Sequence, residues 1–154
     1  IHEFDNALNL FGLPRRVFAL GGKLSQLEVN VEDTASVLME CEHEGKVLPV
    51  TILTDFLQSP PVRTCNIVGE NGRIFLDLID NNISLTKRET EETEYHDYKD
   101  FNRNQLFIDE LKHFLDAVSG KIEPVVNIKT GLASLRMALA ARKSIETGEP
   151  IGLL

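Results

Sequence analysis

The sequence predicts an α+β domain: a mainly antiparallel open sheet of about six or more strands, with helices packed on one face and the other face needing a further partner. Three observations carry this. Short runs rich in β-branched residues follow one another from Arg16 to Thr86 with turn residues between them. Two long helical patterns come last, after Asn102. Between these regions, Val62 to Leu78 joins two apolar runs through Glu70-Asn71-Gly72. Asn-Gly between such runs is the strongest short hairpin signal, because both residues tolerate the positive φ of a tight hairpin turn. Cys65, Ile67, Val68, Ile74, Phe75, Leu76 and Leu78 fill this hairpin without clean alternation. A hairpin apolar on both faces must be covered on both sides, so it is expected at the centre of the sheet.

The first element is helical. In IHEFDNALNLFG, Phe4, Ala7, Leu8 and Phe11 share one face and His2, Asp5, Asn6 and Asn9 the opposite one, with Gly12 and Pro14 as the stop. No Ser, Thr, Asp or Asn precedes the first turn as a cap, so the helix is expected to begin upstream of Ile1 and the chain to be a piece of a longer one. Arg16 to Leu20 is a short strand closed by Gly21-Gly22, and Asp33-Thr34 leads into the next. Ala35 to Glu44 alternates, with Ala35, Val37, Met39 and Cys41 on one side and Ser36, Glu40 and Glu42 on the other; Leu38 is the exception. Gly45 turns the chain into Val47 to Phe56, where Pro49 predicts an edge or a bulge, and Pro60-Pro61 end that strand. Asp80-Asn81-Asn82 then turns the chain into Ile83 to Thr86, one more short strand.

From Arg88 to Asp100 the chain is dense in acids. A solvated loop or strand edge is the plain reading, and a site for a cation or basic partner the functional one. Asn102 with Gln105 three residues on is a capping-box pattern, ahead of a stripe formed by Phe107, Leu111, Phe114, Leu115 and Val118; Gly120 stops this helix. The last helix runs from about Ile128 to Thr147. Leu132, Leu135 and Leu139 are read as inward, and Gly131, Ser134, Ala138 and Ala141 as a small-residue strip allowing close contact. Gly148 and Pro150 terminate it.

The totals bound the function. At 154 residues the chain reads as a single domain, able to bury roughly 70% of its unfolded surface without staples. A net charge of −8 argues against nucleic acid or an anionic membrane as ligand, since both select clustered Lys and Arg. No membrane span or signal peptide is visible, and Cys41 and Cys65 sit in apolar runs as reduced thiols, so a soluble, cytoplasmic protein is expected.

Gly69-Glu70-Asn71-Gly72 leads from strand to strand, without the helix N-terminus that holds a phosphate, and Gly21-Gly22 fails likewise, so no cofactor-binding residues are assigned. His2, His43, His96 and His113 are isolated from one another and from cysteines, and no metal site is expected. His2 and Asp5 stand apart. Three residues apart on the polar side of a helix, they form either an acid/base pair or simply a solvated helix face.

As an ordered set, HEFDNALNLFG, VEDTASVLM, DFLQSPPVRTCNIVGENGRIFLDL, FIDELKHFLDAVSG and GLASLRMALAARKSIETGEPI resemble the C-terminal domain of the Gfo/Idh/MocA oxidoreductases. The likeness runs from His2 to about Ile151. It implies a substrate-binding and oligomerisation domain over residues 1–154 of an enzyme whose N-terminal Rossmann domain, absent from this chain, binds NAD or NADP. It also implies a sugar or cyclitol hydroxyl or carbonyl as the reacting group, and a homo-oligomer, a dimer or dimer of dimers, built through the sheet face. In the matching family motif His2 is the catalytic acid/base or a substrate-binding residue and Asp5 supports it. The family's catalytic Lys belongs to the Rossmann half, and an Asp four residues before the histidine would precede Ile1. The chain alone is therefore expected to be inactive. Arg63 and Asn66 are left as either interface or substrate residues. The rival reading is a non-catalytic binding or assembly module of the same fold.

Overall fold

The computed structural model describes residues 1–153. In order, the elements are α1 (His2–Phe11), β1 (Arg16–Gly22), β2 (Thr34–His43), β3 (Lys46–Asp55), β4 (Thr64–Gly69), β5 (Gly72–Asp77), β6 (Asn82–Lys87), β7 (Thr93–Asp97), α2 (Arg103–Val118), α3 (Ile128–Thr147) and β8 (Ile151–Gly152). The α+β class and the antiparallel pairing hold. The strands are divided, however, into two four-stranded sheets, β3-β2-β1-β8 and β4-β5-β6-β7, rather than gathered in one. The chain forms two compact units, Ile1–Leu57 with Val125–Leu154, and Gln58–Pro124.

In the first unit, strict period-two alternation turns Val17 and Ala19 of β1, Val37, Met39 and Cys41 of β2, and Ile52 of β3 onto one face. Ala7 of α1 and Met137, Ala140 and Ala141 of α3 complete this core, with Phe4, Leu8 and Phe11 packed at its margin. β3 is an edge strand, as Pro49 predicts, but Pro49 stays in unbroken register with Glu40, so there is no bulge there. β1 runs through Gly21-Gly22 instead of ending before them. At Gly21 a Cβ would lie 2.2 Å from the Thr34 carbonyl oxygen, which is why the position tolerates no side chain.

α3 reverses the expected orientation. Ser134, Met137, Ala140, Ala141 and Ser144 are its buried residues, while Leu132, Leu135 and Leu139 are exposed. The cause is proximity to the sheet: Ala19 N–H donates to Ser144 Oγ at 2.9 Å, and Ser144 Oγ donates onward to the Glu149 carbonyl at 2.7 Å. A helix lying that close to a strand turns its small residues inward, with Met137 as the one large side chain among them, and leaves the leucines outside. Asn127 caps its start through Oδ1, which accepts from Lys129 and Thr130 N–H, and Gly148 closes it in the left-handed conformation.

The second unit contains the hairpin, with Gly69 paired to Gly72 across the turn. β4 lies at the edge of its sheet and not at the centre. Nor is the hairpin apolar front and back. Its register pairs Cys65 with Leu76 and Ile67 with Ile74, and β6 adds Ile83 and Leu85 to the same side. The other side mixes Val68 and Phe75 with Asn66, Arg73, Ser84 and Thr86. The acid-rich segment supplies β7, the opposite edge, where charge discourages further strand pairing. α2 forms as expected, and Asn102 Oδ1 accepts from Asn104 N–H. The capping box is only half made: the Gln105 side chain, which would accept from Asn102 N–H, instead turns its Nε2 to donate to Asp109 Oδ1 at 2.8 Å. No residue of α2 is buried, and the stripe from Phe107 to Val118 is exposed.

Candidate functional site

His2 and Asp5 sit in the first turn of α1, with Ile1 at the N-cap and no side-chain cap. The turn is closed by Asp5 N–H donating to the Ile1 carbonyl at 3.0 Å. His2 is exposed and Asp5 half-buried, so the imidazole is open to a ligand while the carboxylate is partly withdrawn from water. The helix is held from its other side, where Ala7 is buried in the core. The pair therefore projects from a fixed element, away from the packed stripe.

The other histidines do not join it. His43 ends β2, His96 lies on β7, and His113 is half-buried on α2. No group of three or more His, Cys, Asp or Glu side chains among the described residues is arranged to hold a metal ion. Cys41 is buried, and burial pushes its thiol above the ordinary range. Gly69 and Gly72 bound a strand-to-strand turn, which does not fit a dinucleotide pyrophosphate because no helix N-terminus follows.

One residue of consequence carries no signal in the sequence beyond a turn assignment. Asp33 is almost wholly buried, and its carboxylate ties down the loop between β1 and β2. It accepts from Ser25 Oγ at 2.5 Å, Leu24 N–H at 2.8 Å, Ser25 N–H at 3.0 Å and Lys23 Nζ at 3.1 Å. The Ser25 hydroxyl, foremost, and the Leu24 N–H hold its pKa far below the usual carboxylate range, against the opposing pull of desolvation. A carboxylate buried among its own loop's donors can be found only once the loop is folded.

The outer face of the first sheet carries a second polar arrangement. Arg16 grips Glu40 on the neighbouring strand through two parallel bonds, Nε to Oε2 at 2.9 Å and Nη2 to Oε1 at 2.6 Å, and Arg15 pairs with Glu42 beside it. The hydrogen bond from Arg16 holds the pKa of Glu40 below the ordinary carboxylate range.

With α1 leading a helix-backed antiparallel sheet, the whole chain can be compared with known proteins. Residues 1–153 match the family described as the oxidoreductase family, C-terminal alpha/beta domain. The chain belongs to the Gfo/Idh/MocA oxidoreductases. One family domain thus spans both compact units. Its fold is shared by an oxidoreductase from Thermotoga maritima, with a TM-score of 0.78 at 21% identity over 99% of this chain and 45% of that one. The WlbA dehydrogenase from Bordetella pertussis, solved with NADH and UDP-GlcNAcA, gives 0.73 at 21% identity over 99% of this chain and 43% of the other. UDP-N-acetylglucosamine 3-dehydrogenase GnnA from Acidithiobacillus ferrooxidans gives 0.73 at 23% identity over 94% and 45% respectively. The chain spans less than half the length of each of these solved proteins. No curated protein sequence matches it. Among the described residues no helix is long and apolar enough to cross a membrane.

Proposed function

We propose that this chain is the substrate-binding and oligomerisation half of an NAD- or NADP-dependent oxidoreductase acting on a hydroxyl or carbonyl carbon of a sugar-like substrate. The observation that carries the reading is the family match over residues 1–153, supported by relatives of the same fold solved with NADH or named as nucleotide-sugar dehydrogenases. The glycine-bounded turns here do not fit the cofactor, so the nicotinamide, which supplies the hydride acceptor, is assigned to a separate Rossmann half. The work left to this chain is proton transfer and substrate placement. His2, exposed at the first turn of α1, takes the hydroxyl proton during oxidation and returns it during reduction; Asp5, one turn on, steadies the imidazole.

Oligomerisation is assigned to the outer face of the β1–β2–β3 sheet. α1 and α3 pack on one side of that sheet, and its other side exposes Leu20, Leu38 and Leu53. In the protein carrying both halves, His2→Ala is expected to lower kcat for a nucleotide-sugar substrate by about 10²- to 10⁴-fold. Hydride transfer left unchanged by His2→Ala combined with Asp5→Asn would remove the site assignment. Calorimetry on the 154-residue chain is expected to detect no NAD or NADP binding. Binding at millimolar affinity or better would place cofactor contacts in this half after all.

A further inference from the structure

We infer that Asn6 and Asn9 of α1 continue the His2–Asp5 site along the helix and bind uncharged hydroxyl groups of the substrate; the inference rests on the function proposed above. Successive helical residues turn by about 100°, which puts Asn9 about 20° to one side of His2 and Asn6 about 40° to the other. The three side chains stand in one row about 10 Å long. Both amides are exposed, and neither has a hydrogen-bond partner among the described residues. The row is also rigid, because Phe4, Ala7, Leu8 and Phe11 pack the opposite side of α1 onto the core.

The residue type points to the ligand. Asparagine is a poorer helix former than alanine, lysine or glutamate, so two of them on the open side of a ten-residue helix weaken it with no contact within the chain in return. Charge is missing as well. Of the whole chain 26% is charged, yet no Asp, Glu, Lys or Arg occurs from Asn6 to Pro14. An amide both donates and accepts, and so does an alcohol, so a row of amides suits a polyol and offers no cation to a phosphate.

Distance along the helix divides the work. Asn6 lies one turn from His2, with Cβ atoms about 5–6 Å apart, near enough to hold the hydroxyl beside the one that His2 deprotonates. Asn9 is two turns on and meets the substrate farther from the reacting carbon. Loss of Asn6 therefore disturbs the alignment of that carbon with His2 and lowers kcat, whereas loss of Asn9 removes binding alone and raises KM.

The test uses the protein carrying both halves, with myo-inositol, D-glucose and UDP-glucose as probes and reduction of NAD or NADP as the readout. For the probe that is turned over, Asn6→Ala is expected to lower kcat/KM by about tenfold, mainly through kcat, and Asn9→Ala to raise KM by about fivefold. The KM of the cofactor is expected to stay unchanged. In both variants the urea midpoint is expected to rise, since alanine is the better helix former; a residue that only braced the helix would lower midpoint and activity together. Asn9→Lys is expected to raise KM, and a fall would put a phosphate beside it and overturn the assignment to hydroxyls. Activity within about twofold of wild type in both alanine variants, or a loss confined to the KM of the cofactor, overturns the row and leaves the His2 reading standing. No turnover of any of the three probes overturns the dehydrogenase reading itself.

Discussion

The two units of this chain use the same kind of sheet and reach opposite outcomes. Each has four antiparallel strands joined by short turns. In the first, one face of the sheet meets α1 and α3, and Val17, Ala19, Met39 and Met137 are completely removed from water. In the second, none of the described residues from Gln58 to Pro124 is buried, although Ile67, Ile74, Ile83 and Leu85 line up on one side. Strand formation needs only local pattern and turn chemistry. A core needs a covering element close enough to exclude water, and close approach is what the small residues of α3 permit.

Substitutions can break this contrast, and the largest effect is expected at the helix–sheet seam. Met137→Ala removes a fully buried side chain and is expected to cost about 2–5 kcal/mol in urea unfolding. Ser144→Ala is next. It leaves the buried Ala19 N–H without an acceptor, at a cost of about 1–3 kcal/mol.

Asp33→Asn tests the clasp on the β1–β2 loop, and its signature is pH dependence. A carboxyl whose acidity is strengthened by folding contributes stability that is fully present above its unfolded pKa of about 4 and is lost as the pH falls toward its folded value. The variant is therefore expected to unfold at lower urea than wild type near neutrality, and the gap to close on acidification below about pH 4. A gap that persists unchanged into acid would show that the loop does not depend on the ionised carboxylate.

The smallest effects are expected in the second unit. Asn102→Ala removes the α2 cap and is expected to cost about 0.5–2 kcal/mol of helix stability, read from the loss of helical circular dichroism on heating. Leu111→Ala, on the exposed stripe, is expected to stay within about 0.5 kcal/mol of wild type in urea unfolding. A cost near that of Met137→Ala would mean that α2 is covered as tightly as α3.

Much of the architecture was legible. The spacing of Phe4, Ala7, Leu8 and Phe11 defines α1 and its packed side, the alternation from Ala35 to Cys41 defines the buried face of β2, and Asn71-Gly72 locates the hairpin. His2 and Asp5 were likewise placed on one helix from spacing alone, while their proposed role comes from the family motif. The misreadings share a cause. Leu132, Leu135 and Leu139 were turned inward because leucine is the more apolar choice, but the side of α3 that meets the sheet is the one carrying Ser134, Ala140, Ala141 and Ser144, with Met137 among them. The hairpin was put at the centre of one sheet because its runs are rich in apolar residues, and hydropathy does not count the sheets.

The sequence by itself determined the three helices and the strands from β1 to β6, because periodicity, caps and turn residues act over a few neighbours, while the family came from the ordered set of motifs; the short strand β8 (Ile151–Gly152) was not foreseen. Only the tertiary structure decided which side of α3 meets the sheet, how eight strands divide into two sheets, and that Asp33 and the Arg16–Glu40 pair find their partners. Those outcomes depend on distances between segments remote in the chain, such as the 2.9 Å from Ala19 N–H to Ser144, and no local pattern encodes them.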